Sequence, residues 1–224
     1  MARPGTLRRQ GQTRIALQRA ALTLFVERSA DAVAVDDITR RAAVAKGSFY
    51  NHFDDKADLA RALISEVREA VEPVITAANQ EIADPAARTA RAVAIYARFA
   101  IDHPIGARFL TQFGGDELAS DAKANHGIVA DLAAGLETGC FALATIETGV
   151  LFVAGVTRAL MLRVASGGDP AAAILFSQQA IAMLLRGLGV EHQVADAVAA
   201  RAVDAVIRRK EAPVPAPAFL SIEP

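Results

Sequence analysis

Residues 35–56, VDDITRRAAVAKGSFYNHFDDK, limit what this chain can become more than any other stretch. They read as two short helices joined by a tight turn, with a third helix starting behind them. The first carries Asp36 and Asp37 in its opening turn and Arg40 and Arg41 near its end, the arrangement a helix dipole favours. Ile38 and Ala42, four apart, give it one small apolar face. The second helix is predicted over residues 46–53. Phe49 and Phe53 stand one turn apart and point at a common core. At about 100° per residue, Gly47 and Asn51 fall on the opposite side, flanked by Ser48 and His52 on one edge and Tyr50 on the other. An apolar face backed by hydrogen-bonding groups, without a carboxylate, suits a recognition helix entering the major groove of DNA.

Charge is distributed to match. Residues 1–53 hold nine Lys/Arg against four acids, a net of +5, which leaves −6 for the rest of a chain whose total is −1. A basic head on an acidic body is the electrostatic footprint of a small DNA-binding domain fused to something else. Arg8 and Arg9 lie in a basic N-terminal arm, residues 1–10, that is expected to be flexible and to reach phosphates or a minor groove. Arg40, Lys46, Tyr50 and Lys56 are expected at phosphates. Ser48, Asn51 and His52 are expected nearest the base edges, with Gly47 letting the backbone come close.

Residues 11–70 then form the head. Leu17, Ala20, Ala21, Leu24 and Phe25 make the buried stripe of a first helix predicted over 12–27. Asp54 is the expected cap of a helix over 54–70, whose Leu59, Leu63 and Val67 face inward and which either continues to Pro73 or kinks there. The body, residues 71–210, has no β pattern. Pro85, Pro104 and Pro170 each sit where a helix should begin. Helices are predicted at about 74–82, 86–102, 105–112, 117–139, 142–166, 170–187 and 191–210. Residues 211–224 hold four prolines and are expected to be disordered or extended.

Several of these residues also carry a likeness to a known family. Ala20-Ala21 with Leu24-Phe25, Asp37-Ile38, Lys46-Gly47-Ser48-Phe49-Tyr50, and Phe53 followed by Lys56 and Leu59 resemble the DNA-binding domain of the tetracycline-repressor (TetR) family of bacterial regulators, over about residues 14–64. The resemblance implies an all-α chain: a three-helix helix-turn-helix DNA-binding domain followed by a helical ligand-binding and dimerisation domain. It also implies a transcriptional repressor that binds a palindromic operator on double-stranded DNA as a homodimer and is released by a small hydrophobic molecule. The helix after the recognition helix would link the two domains. The last two long helices would pair with their copies as a four-helix bundle. The chain departs from the family pattern at Ala34 and Ala45, where Ser or Thr caps are usual, and at Ala43, where the turn usually has Gly. Ala43 must therefore take a positive φ or reshape the turn.

Segments 145–163 and 171–188 are apolar nearly all round, and such helices need partners on every side. On them Ile146, Val150, Val153, Thr157, Leu160, Ile174, Gln178, Ile181 and Leu185 are the expected dimer contacts. Between residues 86 and 160 a ligand pocket is expected, with Phe99, Phe109 and Phe152 among its apolar walls. Tyr96, His103, Arg108, Gln112, His126 and Cys140 are its polar candidates. Sparse polar groups on apolar walls suit a small hydrophobic ligand. Arg108 and Arg158 offer charge to an anionic ligand, or to nearby carboxylates.

The competing readings are an all-helical enzyme or a redox sensor using Cys140. No residue orients a Cys140–His126 pair, and a buried thiol usually acts as a small hydrophobe. One cysteine allows no internal disulfide, and four scattered histidines lack metal-ligand spacing. No cofactor and no metal are expected. The apolar run at residues 149–156 is too short to span a bilayer, and no apolar segment follows the basic N-terminus. The expected protein is soluble and cytoplasmic, with no membrane partner.

Overall fold

A computed structural model describes residues 4–28, 30–114 and 125–221. These residues contain ten α-helices and no strand. They form two compact units, Met1–Val67 with Ala216–Pro224, and Arg68–Pro215.

The first unit holds α1 (Pro4–Glu27), a 3-10 turn (Ala30–Ala32), α2 (Val35–Arg41), α3 (Lys46–Tyr50) and the opening half of α4 (Lys56–Asn79). Its core is the set of apolar residues spaced one turn apart in the sequence. Leu17, Ala21, Leu24 and Phe25 of α1 are buried together with Ile38, Phe49, Phe53, Leu59, Leu63 and Val67. Arg14 lies over the Phe53 ring at 4.7 Å and pairs with Glu66 at 3.1 Å. Buried Gln18 donates to the same carboxylate at 2.7 Å. Three of this unit's expected boundaries move. First, α1 begins at Pro4 rather than residue 12. Proline suits a first turn, and the lone Gly11 costs only about 1 kcal/mol in a helix interior. The side chains of Arg8 and Arg9 lie outside the described residues. Second, α3 ends at Tyr50, and Asn51 and His52 form the turn that closes it. Third, the cap of α4 is Asp55, whose Oδ1 accepts from the Asp58 N–H at 2.7 Å, in place of Asp54.

The turn between α2 and α3 has a defined form. Val44 N–H donates to Thr39 O at 3.0 Å and Ala43 N–H to Arg40 O at 3.2 Å, the paired bonds of a Schellman motif. The motif needs a left-handed residue, and Ala43 supplies it at φ 54°. Its Cβ is crowded there, at a cost of about 1–2 kcal/mol relative to a relaxed backbone. Ala43→Gly is therefore expected to raise the unfolding free energy by about 1 kcal/mol. A urea midpoint that stays or falls would show that the turn is unstrained.

The C-terminal tail, expected to be disordered or extended, has no regular helix among its described residues 211–221 and is packed against α1. Arg19 Nη2 on α1 donates to Ala218 O at 3.0 Å and to Ser221 O at 2.6 Å. Phe219 is only 3% exposed. Proline content predicts the absence of helix, and the tail has none of ordinary length. It does not predict the absence of packing. Phe219→Ala is expected to lower the unfolding free energy by about 1.5–3 kcal/mol, the value of burying one such side chain. An unchanged melting temperature would show the tail to be a passive passenger.

Helix α4 runs through Pro73 to Asn79 and absorbs the separate helix expected over 74–82. The ring forfeits one backbone hydrogen bond, which is too little to stop a helix of 24 residues. The second unit continues with α5 (Pro85–Asp102), α6 (Pro104–Phe113), α7 (His126–Glu137), α8 (Ile146–Ala165), α9 (Pro170–Gly187) and α10 (His192–Val203), ending in a π-helical turn (Asp204–Arg208). Asp84 and Asp169 cap α5 and α9 just ahead of their prolines, each accepting from the second helical N–H at 3.0 Å. Thr145 caps α8, which starts that helix later than residue 142. The part of the expected 117–139 helix before residue 125 lies outside the described residues.

Helix α8 is long and apolar enough to cross a membrane by length and composition, whereas the run at 149–156 alone is not. Its Val150, Val153, Leu160, Met161 and Val164 are buried within the unit, as in the core helix of a globular domain. Close packing is visible where Gly149 of α8 meets α7. A methyl group there would stand 2.9 Å from Leu132 Cδ1.

Candidate DNA-binding face and ligand cavity

Helices α2 and α3 present the expected face. The Arg40 side chain is 76% exposed and pairs with Asp37 at 3.1 Å. That of Lys46 is 58% exposed and pairs with Asp36 at 2.8 Å. The Asp36 hydrogen bond holds the Lys46 ammonium above its usual range. Exposed pairs like these are weak and exchange readily with a phosphate. Tyr50 is 54% exposed, and its ring meets Phe49 edge-on at 5.3 Å. Gly47 and Asn51 are exposed, while Ser48 is half-buried. A Cβ at Gly47 would meet nothing within 4 Å, so the missing side chain leaves room on the outside. Burial, then the nearby Arg14 charge, holds His52 below its usual pKa, and a neutral imidazole faces this surface near pH 7. Lys56, expected at a phosphate, also makes contacts within the fold. Its Nζ donates to Val33 O at 3.2 Å and to Asp31 O at 3.4 Å, bracing the segment before α2.

The second unit encloses a cavity of about 530 Å³, a size typical of small-molecule sites. Ile75, Ala92, Val93, Leu110, Ile128, Val153, Ala154 and Met161 supply its apolar wall. Polar groups come from α4 (Arg68, Glu72, Thr76, Asn79), α5 (Arg88, Thr89, Tyr96), α7 (His126, Asp131) and α8 (Thr157, Arg158). Tyr96 Oη donates to Glu72 Oε1 at 2.7 Å. Burial and the adjacent carboxylate push the phenol well above its usual pKa, so it stays a donor. Arg88 Nε donates to Asp131 Oδ1. Burial raises the Asp131 pKa against the pull of Arg88.

Residues 17–63 match the family described as bacterial regulatory proteins, tetR family. Residues 17–63 are a TetR-family DNA-binding domain. The chain is 38% identical over 60 residues to the Transposon Tn10 TetC protein of Escherichia coli, a match covering 27% of this chain and 30% of that protein. The chain thus spans under a third of the curated relative it matches. The crystal structure of RolR in complex with resorcinol is similar over 94% of this chain and 99% of RolR, at 26% identity and a TM-score of 0.55. A TetR-family transcription regulator from Shewanella sp. PV-4 shares the fold at a TM-score of 0.68 and 20% identity, over 79% of this chain and 97% of its own.

Of the nine pocket residues expected, Tyr96 and His126 line the cavity. The other seven do not. Phe99 and Phe109 are fully buried, with Phe99 against His103 at 5.3 Å and Phe109 stacked on Phe113 at 4.8 Å. Arg108 and Gln112 are exposed on α6, and Cys140 follows α7, half-buried. Phe152 is an exposed side chain of α8 whose ring lies 2.6 Å from where a Gly187 Cβ would stand. Periodicity alone does not carry α4 past Pro73, so its contribution to the cavity emerges only from the structure. Arg68, Glu72 and Thr76, each four apart, were the available signal.

None of the residues expected at a dimer contact is fully exposed. Val153 and Thr157 are cavity walls. Val150, Leu160, Ile181 and Leu185 are buried inside the subunit, and Ile146, Ile174 and Gln178 are half-buried. The exposed apolar side chains of these helices are Leu151, Phe152 and Leu162 on α8, and Leu175, Phe176 and Met183 on α9. A helix apolar all round does not reveal from periodicity which face looks outward.

Proposed function

We propose that this chain is a ligand-responsive transcriptional repressor, binding a palindromic DNA operator as a homodimer and released by a small molecule held in the α4–α8 cavity. The observation that carries the DNA-binding half is the open face of α3. Gly47 and Tyr50 are exposed there with Lys46, Asn51 is exposed in the turn that follows, and the helix itself bears no carboxylate. A dimer would set two copies of α3 into successive major grooves, about 34 Å apart. Arg40, Lys46 and Tyr50 would hold phosphates, and Ser48, Asn51 and His52 would approach bases. Arg8 and Arg9, which lie on α1 and not on a free arm, remain candidates for a DNA contact.

The proposed dimer face is the exposed apolar set of α8 and α9. Leu151, Phe152 and Leu162 share one side of α8 at helical spacing, together with Gly155 and Ala159. Arg163 covers the Phe176 ring at 4.2 Å. RolR's complex with resorcinol supports the cavity as an effector site for a compact, ring-sized compound. A ligand acts only if it favours the subunit arrangement that fits DNA poorly. The enzyme and redox readings lose their nucleophile, because burial and then Asp84 push the Cys140 thiol up, away from thiolate.

Gly47→Ala tests the face without disturbing the fold. Nothing lies within 4 Å of the added methyl, and alanine is the better helix former. Thermal stability should hold or rise while operator affinity falls at least about tenfold, because the methyl stands between backbone and DNA. Unchanged affinity in the stable variant would remove α3 from the interface.

A further inference from the structure

Among the described residues, the cavity of the second unit is lined by more positive than negative groups. Its lining includes three arginines, Arg68, Arg88 and Arg158, and two carboxylates, Glu72 and Asp131. Both carboxylates are engaged. Glu72 accepts from Tyr96 Oη at 2.7 Å, and Asp131 accepts from Arg88. Arg88 is also tied down by its Nη1, which donates to Ile82 O at 3.0 Å and Ala83 O at 2.9 Å. Arg158 makes no hydrogen bond or ion pair among the described residues. It shares its face of α8 with Ala154 and Met161, so among the described residues its guanidinium stands on an apolar wall without a counter-charge.

A second observation points the same way. Thr89 is fully buried, lines the cavity, and its hydroxyl has no partner. Asn79 Oδ1, also on the lining, is buried without a donor, although its Nδ2 donates to Arg88 O at 3.1 Å. Native proteins leave few buried polar atoms unpaired, and such atoms beside a cavity are the ones a ligand satisfies. Asn79 Oδ1 can only accept, so its partner must donate.

We propose that the effector is a small organic monoanion: a compact apolar body bearing one carboxylate, held by Arg158, and a hydroxyl that donates to Asn79. This rests on the cavity being the effector site. The carboxylate supplies the missing counter-charge, and charge-assisted pairing to a guanidinium is among the stronger polar contacts available. Thr89 can donate to the carboxylate or accept from the hydroxyl. A neutral diol of the same shape would serve Asn79 and Thr89 but leave Arg158 bare.

Calorimetry on the full chain decides between these, using the three hydroxybenzoate isomers and the three benzenediols, resorcinol among them. Each pair differs only in carboxylate against hydroxyl. The best hydroxybenzoate is expected to bind at least about tenfold tighter than its matching diol. Arg158→Gln should erase that preference, and Arg158→Lys should restore part of it. Equal or tighter binding of the diols to the natural chain overturns the monoanion and leaves the effector site standing. So does a preference that survives Arg158→Gln. Binding of neither series overturns the monoanion and the effector-site reading together.

Discussion

Phe49→Ala is expected to lower the unfolding free energy of the N-terminal unit by about 3–5 kcal/mol and to abolish specific DNA binding. Phe49 is fully buried, and its ring sits 5.3 Å from Tyr50 and 5.8 Å from Phe53. It is the one buried residue of α3, a helix of five residues whose N-cap, Ala45, makes no side-chain cap bond. A helix that short does not form alone in water. Its place therefore depends on this one anchored ring. Against a total stability of about 5–15 kcal/mol for a small domain, the loss leaves the unit marginal. Urea unfolding followed by circular dichroism measures it. A loss below about 1 kcal/mol would mean that α3 is held by something other than its aromatic core.

Leu162→Glu combined with Met183→Glu is expected to convert the proposed dimer to a monomer in light scattering and to weaken binding to the proposed operator by about 10²–10⁴-fold. Both side chains are exposed on the subunit, so the fold should survive, with an unchanged circular dichroism spectrum. Two-fold symmetry doubles each change, because the same patch occurs on both partners. Four carboxylates would then be buried without partners, which association cannot offset. Loss of the second half-site removes the effective concentration that a linked pair provides, and this sets the range. A variant that remains dimeric would place the subunit contact elsewhere. Ile181→Glu would not serve as a test, because Ile181 is fully buried inside the subunit.

The N-terminal unit is where the sequence speaks most clearly. Its core residues repeat at helical spacing against polar neighbours, so Leu17, Leu24, Ile38, Phe49 and Leu59 announce their burial, and Pro85, Pro104 and Pro170 mark helix starts for a local steric reason. Ala43 was legible as a conflict, and the positive φ resolves it. What was not legible depends on non-local packing. Pro73 reads as a break, and only the surrounding helix shows that it is tolerated. The tail reads as free, and only Arg19 and Phe219 show that it is held. In α8 and α9, contrast between faces is missing. Leu160 and Leu162 are equally apolar in sequence, yet one is buried and the other exposed. The cavity was half legible for the same reason: Tyr96 and Arg158 stood out as polar groups among apolar ones, while Thr89 did not.

The most direct test of the central claim is fluorescence anisotropy of the full chain on a labelled duplex taken from the DNA flanking its coding region, with a scrambled duplex as control. Saturable binding with two chains per duplex is predicted, with affinity falling on the order of 10³-fold between about 50 and 200 mM salt as phosphate contacts release counterions. The scrambled duplex should bind at least about 10³-fold more weakly. Equal affinity for both duplexes, or no saturable binding at low salt, would contradict a sequence-specific regulator.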